Sequence, residues 1–238
     1  MPLREKPRIP FENRILGALP YGEYVRLSPY LEPIRLPAGR LLYGAGDAVR
    51  HAYFPRGGMI SLLSVTVGGA AVEVGMTGNE GVVGLPAVLR GNVTHYQVVV
   101  QLQANALRVP ANVLRSEFDR GGRLQDLLLR YTDTLITQLS QSAACNRFHS
   151  MRARLCRWLL VSQDRARADT LDFTQEILSQ MIGAPRPRVS IVAGSLQRAG
   201  IIRYSRGRIR ILDRPRLEVA SCECYRIVRE QTSHFLAA

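Results

Sequence analysis

The amino-acid sequence predicts an α+β fold composed of an N-terminal β-roll, one long helix and a C-terminal winged helix-turn-helix. Three observations predict it. Residues 33–110 carry short apolar runs separated by glycine turns, which is typical of strands in a roll or sandwich. Residues 123–165 contain neither glycine nor proline, so long helices are expected there. Residues 174–211 combine two short helical patterns with an arginine-rich hairpin pattern.

These patterns divide the 238 residues into three predicted parts. Residues 1–120 are expected to form a β-roll effector domain with short N-terminal helices. Residues 121–150 are expected to form a dimerisation helix, and residues 151–238 a winged helix-turn-helix domain. Each of the two domains is large enough to bury a core of its own.

The N-terminal part is predicted to begin with one or two short helices between residues 12 and 32. Their expected buried side comprises Leu16, Leu19, Tyr24, Leu27 and Leu31. The strands that follow fit a β-sandwich, a roll or a barrel. Among these a roll is the better sensor scaffold, because its interior can hold one small ligand.

Two apolar stripes follow the predicted long helix. The first steps alternately by four and three residues, as in a coiled-coil seam, through Leu124, Leu128, Tyr131, Leu135, Gln138, Ser142, Cys145 and His149. The second comprises Leu129, Ile136, Leu139 and Ala143. We expect the second stripe to face the β-domain and the first to form a dimer interface. The predicted interface residues are Leu124, Leu128, Tyr131, Leu135, Leu139, Ser142 and Cys145. The alternative is a core helix of a single domain.

The helix pair lies between Thr174 and Gly200. The first helix has an apolar stripe of Ile177, Leu178, Met181 and Ile182 and is expected to end at Gly183. After a proline-stiffened connector, the second helix repeats apolar residues at Val189, Val192, Ala193 and Leu196. Two short helices joined by a few residues are typical of a helix-turn-helix.

The polar face of the second helix, together with the hairpin after it, predicts a DNA-binding surface. Arginines at the N-terminal end of such a helix can donate paired hydrogen bonds to guanine in the major groove. The predicted hairpin has a first strand at residues 201–204, a turn at 205–207 and a second strand at 208–211. Its outward positions are arginines, which can contact phosphates. The predicted DNA-binding residues are Arg186, Arg188, Ser190, Ile191, Ser195, Arg198, Arg206 and Arg208. The alternative is a helical hairpin whose basic face only keeps it in solution.

The charge of the chain is unevenly distributed. The formal net charge is +13, with 15 basic against 11 acidic residues in residues 1–145 and 17 against 8 in residues 146–238. Such a field attracts polyanions but does not separate DNA from RNA or anionic lipid. The first twenty residues lack the apolar core of a signal peptide, and no run approaches a membrane span. A cytoplasmic protein is therefore expected.

The four cysteines are interpreted as buried free thiols. Cys222 and Cys224 lack the two-residue spacer of the usual zinc and redox pairs, and no histidine lies close to them in sequence. No metal site is expected. Cys145 falls on the predicted dimer seam, so two copies could meet across the two-fold axis and respond to oxidants. A packed thiol is the alternative.

The order of elements, together with two short segments, resembles the Crp/Fnr superfamily of bacterial transcription regulators over about residues 15–215. The segments are Tyr53-Phe54-Pro55 with Gly58, Ile60 and Ser61, and Asn79-Glu80-Gly81-Val82-Val83-Gly84. The helix-turn-helix is the third strong match. The resemblance implies a cyclic-nucleotide-binding-like jelly roll, a dimerisation helix and a winged helix that binds an inverted-repeat operator. It also implies contact with RNA polymerase at some promoters.

Departures from the family pattern narrow the range of effectors and cofactors that we expect. Glu80 matches the glutamate of members that bind cyclic nucleotides, but residues 92–97 lack the arginine that neutralises the phosphate. Cyclic AMP and cyclic GMP are therefore not expected to bind tightly. The candidate effector pocket comprises Glu80, Gly81, His95 and Tyr96. No cysteine precedes Cys145, which excludes an N-terminal iron-sulfur cluster of the family type.

Two further departures concern haem and the operator. His51 and His95 are the candidate haem ligands, but ordinary polar histidines are the alternative, and no cofactor is expected. In the recognition helix Arg186 matches the family, whereas Pro187 and Ile191 replace a glutamate and an arginine. The operator is therefore expected to differ from the family's best-known consensus.

The sequence thus predicts a homodimeric, sequence-specific DNA-binding transcription regulator that is controlled by an unidentified signal at the β-roll. One alternative is a cupin-like metal enzyme, which would need converging histidines, but the four histidines are scattered along the sequence. The other alternative is a protein-interaction module, against which the arginines of helix and hairpin argue. No enzyme is expected.

Overall fold

The computed structural model describes residues 12–166 and 168–235. The expectation that the amino terminus carries no signal peptide falls largely on residues 1–11, which lie outside the described residues. In the described ranges no helix combines the length and the apolar character needed to cross a lipid bilayer.

Seven antiparallel strands form the β-roll. They are β1 (Glu32–Leu36), β2 (Leu41–Tyr43), β3 (His51–Pro55), β4 (Met59–Val65), β5 (Ala71–Thr77), β6 (Gln97–Leu102) and β7 (Ala104–Pro110). They form two sheets, ordered β1-β7-β3 and β2-β6-β4-β5. Gly58 joins the third and fourth strands with φ 76, and a Cβ there would lie 2.3 Å from the carbonyl oxygen of Gln103. Only glycine therefore allows this close approach.

Short helices close one side of the roll. They are α1 (Arg14–Gly17), α2 (Tyr21–Leu27), α3 (Ala111–Asp119) and two 3₁₀ turns at Ser28–Tyr30 and Leu85–Ala87. Asn13 caps the first helix by accepting from Leu16 N, and its amide donates to the carbonyl groups of Pro55 and Gly81. The expected buried side is confirmed, because all five predicted residues lie in or against one core of the roll.

The glycine-free stretch folds as two helices, α4 (Arg123–Phe148) and α5 (Met151–Ala166). They are separated at His149, whose backbone is extended. The first stripe of α4 faces the β-roll of its own chain: the Tyr131 hydroxyl lies 2.8 Å from Thr77 Oγ1, and Gln138 Oε1 accepts from Met76 N. Since β5 is an edge strand, α4 satisfies backbone groups that the sheet leaves open.

This packing corrects the predicted dimer interface. The residues assigned to it were Leu124, Leu128, Tyr131, Leu135, Leu139, Ser142 and Cys145. All are buried within the chain except Leu139, which is half-buried against the same core. The stripe expected to face the β-domain is instead the outer one, with Leu129 49% and Ile136 56% exposed. Spacing identified both stripes but could not decide which one the roll would cover.

The C-terminal domain contains a helix-turn-helix and a wing, as predicted. Its elements are β8 (Thr170–Asp172), α6 (Gln175–Ile182), α7 (Arg186–Arg198), β9 (Ile202–Ser205), β10 (Arg208–Ile211), α8 (Arg214–Ala220) and α9 (Cys224–His234). The three strands form one antiparallel sheet in the order β8-β10-β9. The sequence did not predict β8, which is only three residues long. The last helix packs against α4 and α5.

The two domains share a core. Met59, Leu63 and Met76 of the roll belong to the same buried cluster as Trp158 of α5 and the apolar side of the helix-turn-helix. Two buried polar contacts cross this junction. Trp158 Nε1 donates to Glu73 Oε1 at 2.8 Å, and Arg165 pairs with Glu80 at 2.9 Å.

Candidate nucleic-acid interface

The helix-turn-helix holds α7 in a defined orientation. Thr174 caps α6 by accepting from Ile177 N, and Gly183 ends that helix in the left-handed region with φ 62. Pro187 is tolerated in the first turn of α7, where no intrahelical N–H partner is required. Val189, Ala193 and Leu196 are buried in the C-terminal core. The opposite side of the helix therefore faces solvent.

The outward side of α7 presents most of the predicted base-reading residues. Arg186, Arg188, Ile191 and Arg198 are exposed, and Ser190 and Ser195 are half-buried. The Ser190 hydroxyl donates to the carbonyl of Arg186, and the Ser195 hydroxyl donates to that of Val192. Arg186 Nη1 lies 3.1 Å from Glu176 Oε2, but both side chains are more than half exposed. Such a pair is weak, so the guanidinium can exchange it for a nucleic-acid acceptor.

The wing adds a second arginine-rich surface. Its buried side carries Ile202, Ile209 and Ile211, while Arg203 and Arg210 lie directly opposite each other across β9 and β10. Arg206 sits at the turn with φ 49. An open basic groove of about 580 Å³ is lined by Thr170, Arg203, Ser205, Arg206, Arg208 and Arg210.

The prediction named Arg206 and Arg208 but missed Arg203 and Arg210. Arg210 follows Arg208 by two residues and therefore shares its face of the strand. Arg203 enters this face through the hairpin register, which pairs it with Arg210. The alternation in the sequence could have identified Arg210, whereas Arg203 could be found only from the pairing register of the two strands. Arg208 also pairs with Asp172 of β8 at 3.0 Å, with both side chains largely exposed.

The structure does not bring the four predicted effector residues together. Tyr96 borders the internal cavity of the roll, which holds about 10 Å³, barely the space of one water molecule. Glu80 borders a different cavity of about 320 Å³ beside α5 and α9. His95 is exposed. A Cβ at Gly81 would lie 2.1 Å from the ring of Tyr131, so a glycine is needed here to let the tyrosine ring pack against the backbone.

Glu80 is engaged within the chain. Its Oε1 accepts from Arg165 Nε at 2.9 Å and from Gly78 N at 3.0 Å, and both side chains of the ion pair are more than nine-tenths buried. Arg165 also donates to the carbonyl of Met76. The carboxylate expected to hold an effector therefore joins the β-roll to α5.

Glu73 is the second buried carboxyl at the domain junction. Burial raises its pKa to about 7, while hydrogen bonds from Ser61 and Trp158 and the charges of Arg157 and Arg165 act in the opposite direction. Its Oε2 lies 2.5 Å from Ser61 Oγ on the neighbouring strand. This group therefore changes charge near neutral pH inside the contact between the two domains.

All four thiols are free and buried, as expected, and three of them lie close together. Folding gathers Cys145, His149, Cys222 and Cys224, and one ligand atom from each lies within 4.8 Å of all the others. Cys145 is fully buried against Cys222 and Cys224 of the same chain, so it cannot meet a second copy across a dimer seam. The sequence held one signal, because Cys145 and His149 are four residues apart and share a helix face.

Comparison with known proteins identifies both domains. The profile of the cyclic nucleotide-binding domain matches residues 33–120, and that of the Crp-like helix-turn-helix domain matches residues 153–220. No curated protein matches the chain. The solved structures provide many similar folds.

Three of them illustrate the likeness. FixK2 from Bradyrhizobium japonicum has a TM-score of 0.69 at 15% identity, covering 81% of this chain and 98% of its own. The c-di-GMP responsive global regulator CLP from Xanthomonas campestris has a TM-score of 0.67 at 15% identity, covering 81% and 99%. A CRP-family transcriptional regulator from Thermus thermophilus has a TM-score of 0.68 at 19% identity, covering 79% and 96%. At these low sequence identities the comparison shows a similar fold only.

Proposed function

Because this chain belongs to the Crp/Fnr family of transcription regulators, we propose that it acts as a homodimeric, sequence-specific regulator that binds an inverted-repeat operator. The observation that carries the proposal is the presence of an arginine-rich helix face and an arginine-rich wing in one domain. The protein acts in the cytoplasm and is not an enzyme. RNA polymerase is its further partner at promoters that it activates.

The proposed division of labour follows from where the arginines lie. Arg186 and Arg188 occupy the first turn of α7, the end that enters a major groove, and arginine there donates two hydrogen bonds to guanine. Ser190, Ile191, Ser195 and Arg198 line the same side further along the helix. The wing arginines contact phosphates, which contributes affinity without sequence preference.

The proposed dimer forms through the outer stripe of α4. Leu129, Ile136 and Ala143 are spaced by seven residues and are exposed, which suits a left-handed coiled coil with the same helix of a second copy. Phe148 continues the apolar surface at the end of the helix and is also exposed. A two-fold axis between the helices would present two winged helices to successive major grooves, with half-sites about one turn apart, roughly 10 to 11 base pairs.

The proposed signal acts at the β-roll. The ion pair between Glu80 and Arg165 joins the roll to α5, and α5 leads into the helix-turn-helix. A ligand that binds one arrangement of this junction better than another would shift the population of DNA-binding dimers. The small internal cavity and the missing arginine support a signal other than a cyclic nucleotide bound in the family manner.

The experiment that tests the function is a selection of bound sequences from a random duplex pool, using the purified full chain at about 150 mM salt. We expect enrichment of an inverted repeat with half-sites about one helical turn apart. Arg186→Ala should lose the preference at one base of each half-site, whereas Arg40→Ala, which removes an exposed arginine from the roll, should keep the whole motif. Equal binding of all sequences, with and without cell extract as a source of the signal, would contradict sequence-specific regulation.

A further inference from the structure

Four potential metal ligands lie close together where the end of α4 packs against the start of α9. Cys145 lies in the last turn of α4, and His149 is the residue at which this helix ends. Cys224 is the first residue of α9, and Cys222 lies two positions before it. The three thiols are more than nine-tenths buried and form no disulfide. Residues 77 positions apart in sequence thus form one compact cluster.

Two separations between ligand atoms fit a single tetrahedral ion. Cys145 Sγ lies 3.5 Å from Cys222 Sγ, and Cys224 Sγ lies 3.6 Å from His149 Nδ1. With Zn–S near 2.3 Å and Zn–N near 2.0 Å, tetrahedral angles give ligand separations of about 3.5 to 3.8 Å. A disulfide would need the sulfurs about 2.05 Å apart. A multinuclear iron-sulfur cluster would instead spread its ligands around several metal atoms, whereas all four atoms here lie within 4.8 Å.

We propose that Cys145, His149, Cys222 and Cys224 bind one Zn²⁺ ion in a tetrahedral site with three thiolate ligands and one imidazole ligand. This ligand set is that of structural zinc sites, which have no open coordination position. Binding displaces the thiol protons to solvent, so no redox partner is required.

Neighbouring residues provide the second layer of contacts that such a site needs. Glu223 Oε1 lies 3.1 Å from His149 Nε2. A proton on Nε2 would be held by this carboxylate and would leave Nδ1, the atom next to Cys224, free to bind the metal. Carboxylate contacts of this kind orient metal-bound histidines. Glu223 itself lies between the two cysteines in sequence, so one short segment supplies two ligands and the orienting group.

Charge is also balanced at the site. Three thiolates and one Zn²⁺ carry a net charge of −1, and burying such a charge without compensation is costly. Arg157 is more than nine-tenths buried and acts electrostatically on Cys145. Its Nε has no hydrogen-bond partner among the described residues. This guanidinium offsets the negative charge.

The position of the ion indicates its role. It would bind the last turn of α4 and the residue at which that helix ends, and attach the start of α9 to them. The ion therefore fixes the geometry with which the long helix leads into the DNA-binding domain. Zinc binding at this site requires neither the operator nor the signal at the roll.

The test measures metal in the purified full chain. Elemental analysis after gel filtration should find about one Zn²⁺ per chain. After removal of zinc under reducing conditions, addition of Co²⁺ should give the visible absorption of a tetrahedral cobalt–thiolate site. His149→Ala should weaken zinc affinity about 100-fold, since one of four ligands is lost, and Glu223→Gln about 10-fold, as a group that only orients a ligand.

Cys156→Ala is the matched control, because Cys156 is a fully buried thiol outside the cluster and its loss should leave zinc content unchanged. His149→Ala is the deciding variant, since its side chain is partly exposed and its replacement disturbs the core less than loss of a buried cysteine would. Three results would overturn the proposal: neither Zn²⁺ nor Co²⁺ bound by the reduced chain, unchanged zinc affinity in His149→Ala, or iron with acid-labile sulfide in place of zinc.

Discussion

The buried carboxyl of Glu73 should make the stability of this protein depend on pH near neutrality. Its pKa is about 7 in the folded chain against an ordinary value of 4.5. Between these values the folded state retains a proton that the unfolded state has released, so stability falls as pH rises through this window. Above pH 7 the Glu73 carboxyl is ionised in both states, and the full cost of burying its charge lowers the free energy of unfolding. The difference between the two pKa values corresponds to about 3 kcal/mol of unfolding free energy.

Glu73→Gln isolates this effect. A glutamine can donate to Ser61 Oγ and accept from Trp158 Nε1, the two groups that Glu73 contacts, and therefore reproduces the protonated carboxyl. Urea unfolding at pH 5 and pH 8 should show the variant close to the unmodified protein at the lower pH. At the higher pH the variant should be more stable by about 3 kcal/mol. Glu230→Gln removes an exposed carboxyl and should change neither value appreciably.

The native protein offers a direct readout of the same ionisation. Trp158 is the one tryptophan of the chain, and its indole N–H donates to Glu73 at 2.8 Å. Its fluorescence should therefore change with a midpoint near pH 7, and this transition should be absent from Glu73→Gln. A stability difference that stays constant from pH 5 to pH 8, with no fluorescence transition, would refute the reasoning. It would mean that Arg157 and Arg165 keep the carboxyl ionised throughout.

Three further changes test other parts of the molecule. Arg186→Ala should weaken operator binding by about 1 to 3 kcal/mol and relax specificity at one base per half-site; an equal loss on all sequences in a binding titration would mean a phosphate contact. Ile136→Asp should yield folded monomers in sedimentation, because the side chain is 56% exposed; a persistent dimer would place the interface elsewhere. Glu80→Gln leaves Arg165 buried without its counter-charge and should cost about 3 to 5 kcal/mol in urea unfolding; a loss no larger than that of Glu230→Gln would show that the pair is not needed.

Local patterns predicted most of the secondary structure, because they report on single elements. Glycine and proline turns outlined the strands of the roll. Gly183 ended the first helix of the pair, and the alternation in Arg208-Ile209-Arg210-Ile211 identified the wing. The strand β8 was missed because three residues carry too little pattern. Its partner β10 holds it in the sheet.

Assignments that depended on contacts between elements were less successful. Both stripes of α4 are apolar at helical spacing, so only the docking of the helix on the edge strand β5 decided that Tyr131 turns inward and Ile136 outward. The effector residues were inferred from short sequence segments, yet Glu80 is occupied by Arg165 from a helix 85 residues away. Nothing local to Glu80 signals that partner.

The sequence by itself determined the fold class, the order of domains and the basic character of the DNA-binding face, since these follow from periodicity, turn residues and charge. Tertiary structure alone decided which face of the long helix is free and whether the thiols are isolated. Cys145 and Cys222 are 77 positions apart, and only the return of α9 onto α4 brings their sulfurs and the imidazole of His149 within 4.8 Å of one another. Periodicity describes one element at a time, whereas a site of this kind exists only once separate elements have packed together.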